Sequence, residues 1–435
     1  MHDRKAAVTG AASARTLAEL NASAAERFAA VRSQSLKLAA PLTPEDACAQ
    51  SMPACSPVKW HLAHTTWFFE MLVLEAAVPG FEPVDERFRC LFNSYYNALG
   101  KQFPKELRGT QTRPTFDEVL EYRRRVDDAM QRLLSRGDIG EELLGVIATG
   151  INHEQQHQEL ILSDIKHLFS LSPLAPAYVE DPTKTAGAPR DVAWHAFDEG
   201  IRWIGAGEDG SNVYDNEFPR HRVFLEPFEI ADRCVTNGEW MAFIEDGGYR
   251  RSELWLDAGW TAVQTHGWSK PFYWRHRDGV WHEFTLSGER ALDPAEPVVH
   301  VSFFEADAFA RWAGARLPTE HEWETAAVEG QAPMEGNFVE AGGLHPRSSG
   351  TGDGLRQMLG DVWEWTRSDY GPYPGYTPPP GALGEYNGKF MCGQYVLRGG
   401  CCATPRSHIR RTYRNFYQPG DRWCFSGLRL ARSLS

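Results

Sequence analysis

The chain has 435 residues, of which 42% are apolar, so it is long enough to form two or three domains with ample cores. Its formal charge of −13 argues against binding nucleic acid or an anionic membrane through bulk electrostatics, and we expect small molecules as its partners. No stretch approaches the roughly eighteen apolar residues of a membrane span, and the N-terminus lacks the apolar core of a signal peptide, so the sequence predicts a cytoplasmic protein.

Four stretches of the N-terminal half have the apolar spacing of amphipathic helices. They are residues 14–38, a stretch from Ser56-Pro57 to about Ala77 with Ser56 as its cap, residues 115–135 with a Thr cap and an acidic residue three positions on, and residues 139–169. Residues 80–113 are rich in Pro, Gly and aromatic residues and predict a long ordered loop, which is typical of functional sites. Four helices with one long crossover predict an antiparallel bundle, and bundles place metal sites between facing helices.

The C-terminal half differs in composition. Residues 171–193 are rich in Pro, Ala, Thr and Asp, which is typical of an interdomain linker. From Trp194 onward, short β-rich runs such as residues 221–225 alternate with turns and indicate an α+β domain with much irregular structure. The sequence therefore predicts a multidomain α and α+β protein, with a helical bundle at residues 1–170, a linker at 171–193 and a second domain at 194–435.

Histidines on two of the predicted helices form a candidate metal site. His153 and His157 lie one turn apart on the same helix face, so both imidazoles can reach one ion. His61 and His64 lie on the second helix, and only one of them needs to face the bundle interior to complete a three-histidine site; we favour His64. Three neutral imidazoles suit iron, zinc or copper and leave positions open for substrates.

The stretch from His153 to His157 also matches the H-E-x-x-H pattern of zinc metalloproteases, in which the Glu is the general base. The extra histidine pair upstream and the absence of a Gly-spaced third histidine downstream argue against that hypothesis. Glu154 has a second interpretation, in which it holds a neighbouring element or orients a metal ligand. The histidines alone therefore leave a zinc hydrolase and a non-catalytic binding module open as functions.

These motifs resemble those of the iron-dependent sulfoxide synthases of ergothioneine and ovothiol biosynthesis, over nearly the whole chain. Trp60-His61-Leu62-Ala63-His64 resembles the DinB-like helix whose last histidine binds iron, and residues 153–157 are similar to the family's H-E-x-Q-H. The second half resembles the C-type-lectin-like formylglycine-generating, sulfatase-modifying domain. The matching segments are residues 215–219, 235–237, 316–324, 360–366, 398–400 and 427–430.

The resemblance implies Fe(II) bound by His64, His153 and His157. It implies as substrates hercynine, which is N-α-trimethylhistidine, together with dioxygen and either cysteine or γ-glutamylcysteine. The C2 carbon of the imidazole would be joined to the thiol sulfur, which leaves as a sulfoxide. Tyr417 stands where the γ-glutamylcysteine-using branch has an Asp, which favours cysteine.

The nearest alternative within the resemblance is ovothiol-type synthesis, which joins histidine and cysteine at C5. Those proteins generally continue into a methyltransferase domain, whereas this sequence stops shortly after residues 427–430. We therefore expect the ergothioneine-type reaction.

The resemblance also implies residues that contact hercynine. Gln156 would contact the substrate imidazole, and Asn415 would hydrogen-bond the histidine-derived substrate. A trimethylated amine needs aromatic faces, which Phe416 and either Tyr417 or Trp423 would supply.

The loop at residues 80–113 carries the remaining candidates. The family needs a phenol that directs the reaction toward C–S bond formation, and Tyr95 and Tyr96 are the candidates, with Tyr95 favoured. Arg108 and Arg113 are candidate partners for the carboxylate of the thiol substrate, since guanidinium binds carboxylate through two hydrogen bonds.

Overall fold

The computed structural model describes residues 17–180, 190–207 and 213–434. The helices of the N-terminal half are α1 (Leu17–Ala39), α2 (Pro44–Cys48), α3 (Val58–Phe69), α4 (Glu75–Ala77), α5 (Phe88–Leu91), α6 (Phe116–Leu134) and α7 (Glu141–Ser170). A π-helical turn, Glu70–Leu74, joins α3 to α4. The predicted start of the first helix at residues 14–16 and the linker residues 181–189 lie outside the described residues.

The four long helices pack as a bundle, in which α7 contacts both α1 and α3, and α3 also contacts α6. Apolar side chains such as Trp67 and Ile147 fill the space between them. Helices α3 and α7 pack closely at Gly150, where a Cβ atom would lie 2.7 Å from the rings of both Phe68 and Phe69. The two helices that carry the candidate metal ligands are therefore held in tight contact.

Local signals set several of these helix ends. Thr115 caps α6, and the Glu118 carboxylate accepts a hydrogen bond from the Thr115 backbone N–H, as the sequence predicted. The predicted Ser56 cap of α3 is wrong, because Pro57 occupies the N-cap position. The Ser56 backbone N–H instead donates to Asp164 on α7, at 2.8 Å.

The C-terminal half mixes short helices with small sheets. Its helices are α8 (Asn237–Glu245), α9 (Asp257–His266), α10 (Phe303–Trp312) and α11 (Glu320–Glu329). Its strands are β1 (Trp194–Phe197), β2 (Gly200–Ile204), β3 (His221–Leu225), β4 (Phe228–Ala231), β5 (Trp274–Arg277), β6 (Val280–Thr285), β7 (Gly288–Ala291), β8 (Trp363–Asp369), β9 (Tyr395–Arg398), β10 (Asn415–Tyr417), β11 (Ser426–Leu428) and β12 (Ala431–Ser433). The strand predicted at residues 221–225 is confirmed as β3.

The sheet in the order β10-β9-β8-β11 positions the site residues. Strand β10 pairs antiparallel with β9, with Asn415 opposite Leu397 and Phe416 opposite Val396. The Arg414 guanidinium, just before β10, forms a buried ion pair with Glu320 on α11, at 2.8 Å. Strand β10, which carries Asn415 and Phe416, is therefore held by its pairing with β9 and by the ion pair of Arg414 with α11.

A helical half followed by a mixed half confirms the predicted α and α+β fold class. We propose the division at residues 1–170, 171–193 and 194–435, since α7 ends at Ser170 and β1 begins at Trp194. None of the described helices has the length and apolarity needed to span a lipid bilayer.

Candidate metal centre

Three buried histidines converge between α3 and α7. His64 comes from α3, and His153 and His157 come from successive turns of α7. Their candidate ligand nitrogens all lie within 4.8 Å of one another. The ring centroid of His64 is 4.9 Å from that of His153 and 4.9 Å from that of His157. The structure thus brings together the three histidines that the sequence singled out.

The ring nitrogens of this trio have few protein partners. His64 Nδ1 donates to the Phe92 carbonyl oxygen at 2.6 Å, which leaves the lone pair on His64 Nε2. His64 Nε2 and both ring nitrogens of His153 have no hydrogen-bond partner among the described residues. Buried polar atoms seldom stay unpaired, and converging imidazole nitrogens are the donors that iron, zinc and copper accept. The residues therefore fit a metal ion.

The protonation states also fit a metal site. Burial lowers the pKa of His153 to about 3. Burial and the neighbouring imidazoles hold the pKa values of His64 and His157 well below their ordinary value of 6.5. All three rings are consequently neutral at pH 7, as metal ligands must be.

Another group of potential metal ligands consists of Glu283, Glu296 and His345. Arg290 donates to both carboxylates of this group, and the His345 ring lies 3.3 Å from each. The guanidinium supplies the positive charge that a cation would bring, so we assign no metal to this cluster.

Glu154 points away from the three histidines. Its carboxylate accepts hydrogen bonds from Arg32 and Ser35 on α1, at 2.9 and 2.6 Å, and from Arg123 on α6. Burial opposes its ionisation, but the charges of Arg123 and Arg32 outweigh burial and lower its pKa to about 2. Both carboxylate oxygens are engaged inside the bundle, so Glu154 holds neighbouring helices and is not placed to act as a hydrolytic base.

A cavity of about 210 Å³ extends from His153 and His157 toward the C-terminal domain. Its wall is largely aromatic, and none of its described lining residues is Lys or Arg. The predicted site residues that line it are Tyr95, Gln156, Asn415, Phe416 and Tyr417. An aromatic pocket that has Glu159 and no cationic side chain in its described lining suits a small organic cation.

Gln156 is fixed by two tyrosines whose roles the sequence did not predict. Its Nε2 donates to Tyr413 Oη at 2.7 Å, and Tyr386 Oη donates to its Oε1. Tyr386 also lines the cavity, with its ring centroid 5.6 Å from that of His153. Tyr386 lies in an irregular segment without periodicity, so only the tertiary fold shows its place; Tyr413 directly precedes a motif already singled out.

Tyr95 and Tyr96 differ in their access to the cavity. Their rings stack with centroids 4.6 Å apart. Tyr95 lines the cavity, whereas Tyr96 is fully buried and packs on Trp67, with centroids 5.6 Å apart. The geometry favours Tyr95 as the phenol that can meet a substrate.

The loop that carries these tyrosines is fastened to the C-terminal domain. Glu385 accepts hydrogen bonds from the backbone N–H groups of Asn97 and Ala98, at 2.9 and 2.8 Å. Lys389 donates to the Tyr95 carbonyl oxygen. The cavity wall is therefore built jointly by both halves of the chain.

Arg108 lies close to the metal site but not in the cavity lining. Its guanidinium stacks 3.4 Å above the Trp60 ring, and Trp60 stacks on His64 with centroids 4.5 Å apart. Arg108 also donates to Ser56 and Ser94, at 2.9 and 3.2 Å. It therefore braces the wall behind His64.

Two other predicted residues lie outside the cavity. Arg113 is exposed and lines a separate groove together with Tyr122. Trp423 contacts the edge of Tyr417, with ring centroids 5.9 Å apart, and does not line the cavity itself. The structure therefore does not bring Arg113 or Trp423 to the histidines.

Known proteins resemble this chain over most of its length. The family model of the DinB superfamily matches residues 27–161, and that of the sulfatase-modifying factor enzyme 1-like domain matches residues 199–353 and 345–434. A formylglycine-generating enzyme of Streptomyces coelicolor is 30% identical over 243 residues, which cover 45% of this chain and 74% of that protein. These matches confirm the fold class predicted for both halves.

Three similar proteins carry the name hercynine oxygenase. That of Mycobacterium tuberculosis is 33% identical over 407 residues, covering 88% of this chain and 92% of that protein. That of Mycolicibacterium smegmatis is 38% identical over 309 residues, covering 65% of this chain and 70% of that protein. The chain therefore belongs to the hercynine oxygenase family, as its motifs indicated.

Proposed function

We propose that this chain is a non-haem iron(II)-dependent sulfoxide synthase that joins C2 of hercynine to the sulfur of cysteine. In this reaction the C2–H and S–H bonds break, and C–S and S–O bonds form. Dioxygen supplies the sulfoxide oxygen and leaves its other atom as water. The observation that carries the proposal is the buried histidine trio at the wall of an aromatic cavity whose described lining contains no Lys or Arg.

The metal would be held by His64, His153 and His157. Ferrous iron there would supply the redox chemistry that dioxygen requires and would lower the pKa of a neighbouring thiol. The protein contributes neutral imidazoles in a dry site, where charge interactions are strong.

Hercynine would lie with its imidazole toward Gln156 and its trimethylammonium group toward the aromatic wall. The Gln156 amide nitrogen carries two N–H groups, and one suffices for Tyr413, so the other can donate to the substrate imidazole. Asn415 Oδ1 accepts from the Phe416 backbone N–H at 2.9 Å, which turns the Asn415 amide nitrogen toward a substrate acceptor. Phe416 and Tyr417 offer ring faces to the cation.

Tyr95 would act as the phenol beside the reacting sulfur. Burial raises the pKa of Tyr95, so its hydroxyl keeps its proton at neutral pH and can donate it. We propose Tyr95 for this role before Tyr96, since only Tyr95 lines the cavity.

Cysteine is the thiol that we propose before γ-glutamylcysteine. Tyr417 lines the cavity at the position where the other branch has an acidic residue. We keep Arg108 before Arg113 as the candidate for the carboxylate of the thiol substrate, because only the Trp60 ring separates it from His64, although it does not line the cavity in this structure. Arg113 faces a different groove.

Oxygen consumption tests the proposed function. The protein would be loaded with Fe(II) under anaerobic conditions and mixed with oxygenated buffer containing hercynine, cysteine, or both. We expect fast oxygen uptake only when both are present, and slower uptake with γ-glutamylcysteine in place of cysteine. Equal uptake without hercynine, or none with both substrates, would contradict the proposal.

Parallel assays with other substrates separate the alternative functions. An ovothiol-type enzyme would prefer histidine, which lacks the trimethylammonium group that the aromatic wall suits. A zinc hydrolase would cleave peptides when loaded with zinc, although its general base would have to be Glu154, which is engaged with Arg32 and Arg123. A binding module would consume no oxygen with any thiol.

A further inference from the structure

His61 lies beside the metal centre without belonging to the ligand trio. It is buried on α3, close to one turn before His64. Its Nδ1 is 2.7 Å from His157 Nδ1, and its Nε2 is 3.0 Å from Asp164 Oδ2. Asp164, on α7, also accepts the Ser56 backbone N–H at 2.8 Å. A line of hydrogen bonds therefore runs from Ser56 through Asp164 and His61 to a candidate metal ligand.

The Asp164 carboxylate indicates where the protons lie along this line of hydrogen bonds. A carboxylate oxygen is the acceptor in the pair of Asp164 and His61, so this hydrogen bond places the His61 proton on Nε2. With that proton on Nε2, His61 Nδ1 is the acceptor of the bond between the two rings, and His157 Nδ1 is its donor. The lone pair of His157 is then on Nε2, which is the nitrogen of this ring that remains to bind a metal ion.

The arrangement at His64 reaches the same result by a different route. The Phe92 carbonyl oxygen accepts from His64 Nδ1 and likewise leaves the lone pair on Nε2. A carbonyl oxygen can only accept a hydrogen bond, so its role does not depend on any other group. An imidazole nitrogen accepts only when the ring proton is on the other nitrogen, so its tautomer has to be set by a further partner. Asp164 is that partner for His61.

We propose that His61 and Asp164 are positioning residues, which set the tautomer and ring orientation of His157 for metal binding. The proposal rests on the proposed function only in that His157 is taken as a metal ligand. Outer partners of this kind are general in metal sites, and their loss typically lowers metal affinity about 10- to 100-fold. His61 would thus act through His157 without touching substrate.

Cobalt(II) binding by the purified full chain tests the proposal without relying on turnover. The affinity would be measured by titration, with the visible Co(II) spectrum as the signal. We expect His61→Phe, which removes the acceptor, to weaken Co(II) about 10- to 100-fold. His61→Asn, which offers an oxygen near the position of Nδ1, should recover part of the loss. His167→Phe is the matched control on α7, since His167 bonds Ser51 at 2.7 Å and should leave the affinity unchanged.

A second readout reports the tautomer in the metal-free protein. With histidine ring nitrogens labelled with ¹⁵N, we expect His157 to carry its proton on Nδ1 in the parent chain and in His167→Phe. The proton should shift toward Nε2 in His61→Phe. A purely structural role of His61 would change neither the tautomer nor the cobalt spectrum.

Each outcome decides the matter. A cobalt affinity within threefold of the parent together with an unchanged His157 tautomer would overturn the proposal, even if the chain oxidises hercynine. A weakened affinity would support it even if hercynine-dependent oxygen uptake failed, so the two failures are distinguishable. Should His61→Phe fail to fold, Asp164→Asn provides the test. This variant should weaken cobalt binding, and an unchanged affinity would refute the positioning role of His61 and Asp164.

Discussion

Glu154 follows a metal-site histidine directly in sequence, yet its carboxylate lies among Arg32, Ser35 and Arg123 inside the bundle. Adjacent residues on a helix point about 100° apart, so a ligand face and a structural face can alternate along α7. The H-E-x-x-H pattern thus specifies residue types but not the direction in which the glutamate points. Its environment supports an interhelical role.

Removing the charge of Glu154 should destabilise the protein strongly. Glu154→Gln leaves two buried guanidinium groups without their full counter-charge, and breaking a buried ion pair costs about 3–5 kcal/mol. The free energy of unfolding would be measured by urea denaturation. Glu121→Gln is the control, because its pair with Arg124 is exposed to solvent and should contribute little to stability. A loss below about 1 kcal/mol in Glu154→Gln would contradict the structural role.

Metal binding should depend only weakly on pH between 7.5 and 5.5. The pKa of His153 is lowered to about 3, and those of His64 and His157 lie well below 6.5, so protons do not compete with the metal in this range. For a histidine with a pKa near 6.5, the neutral fraction falls about tenfold between pH 7.5 and pH 5.5. Three such ligands together would lower the metal affinity about a thousandfold. Titration with Co(II) at the two pH values distinguishes the cases, with a peptide bearing exposed histidines as reference.

The convergence of the three candidate ligands could be predicted from the sequence better than the rest of the pocket. His153 and His157 share a helix face by spacing alone, and the choice of His64 over His61 is consistent with the three-dimensional convergence. Tyr386 could not be predicted, because its contact with Gln156 joins residues far apart in sequence. The same holds for the pair of Asp164 and His61, which depends on how α3 and α7 face each other.

At the scale of elements, the distance between α3 and α7 is set by Gly150. Because a Cβ atom there would lie 2.7 Å from the Phe68 and Phe69 rings, Gly150→Ala should force the helices apart and destabilise the protein by about 1–3 kcal/mol. His64 and His153 lie on the two helices that meet at this contact, so metal affinity should fall as well. Thermal unfolding and Co(II) titration would measure the two effects.

Gly145→Ala is the matched control on the same helix. Nothing lies within 4 Å of a Cβ atom at this exposed position, so the substitution should stabilise the helix by about 1 kcal/mol or less through its higher helix propensity. Metal affinity should be unchanged. Equal effects of the two substitutions would show that the contact at Gly150 does not set the spacing.

Helix positions were predictable from apolar spacing, whereas one helix start was not. Thr115 and Glu118 cap α6 through neighbours in sequence, which a local pattern can reveal. The Ser56 backbone N–H instead bonds to Asp164, a residue of another helix, and no local rule could foresee that partner. Tertiary hydrogen bonding thus overrides the local signal where α3 meets the metal site.

At the scale of the whole molecule, the two halves are joined through buried polar contacts along α7. Glu159 accepts hydrogen bonds from Trp363 Nε1 and Thr404 Oγ1, at 2.7 and 2.6 Å. Farther along α7, Lys166 donates to His300 Nε2 at 2.7 Å. Separating the halves would break these hydrogen bonds and expose the buried surface around them to water, which is unfavourable.

The two halves should therefore unfold together. We expect helix content, followed by circular dichroism at 222 nm and dominated by the bundle, to fall at the same urea concentration as tryptophan fluorescence, which reports mainly on the C-terminal half. Two separate midpoints would show that the interface does not couple the halves.

The position of the new bond on the substrate tests the central claim most directly. Hercynine carrying deuterium at C2 would be incubated with the Fe(II)-loaded protein, cysteine and dioxygen, with an enzyme-free sample to correct for spontaneous exchange. We predict a condensed sulfoxide whose mass shows complete loss of the deuterium, because the C2–H bond is replaced by C2–S. A condensed product that retains the deuterium, or no condensed product at all, would contradict the account.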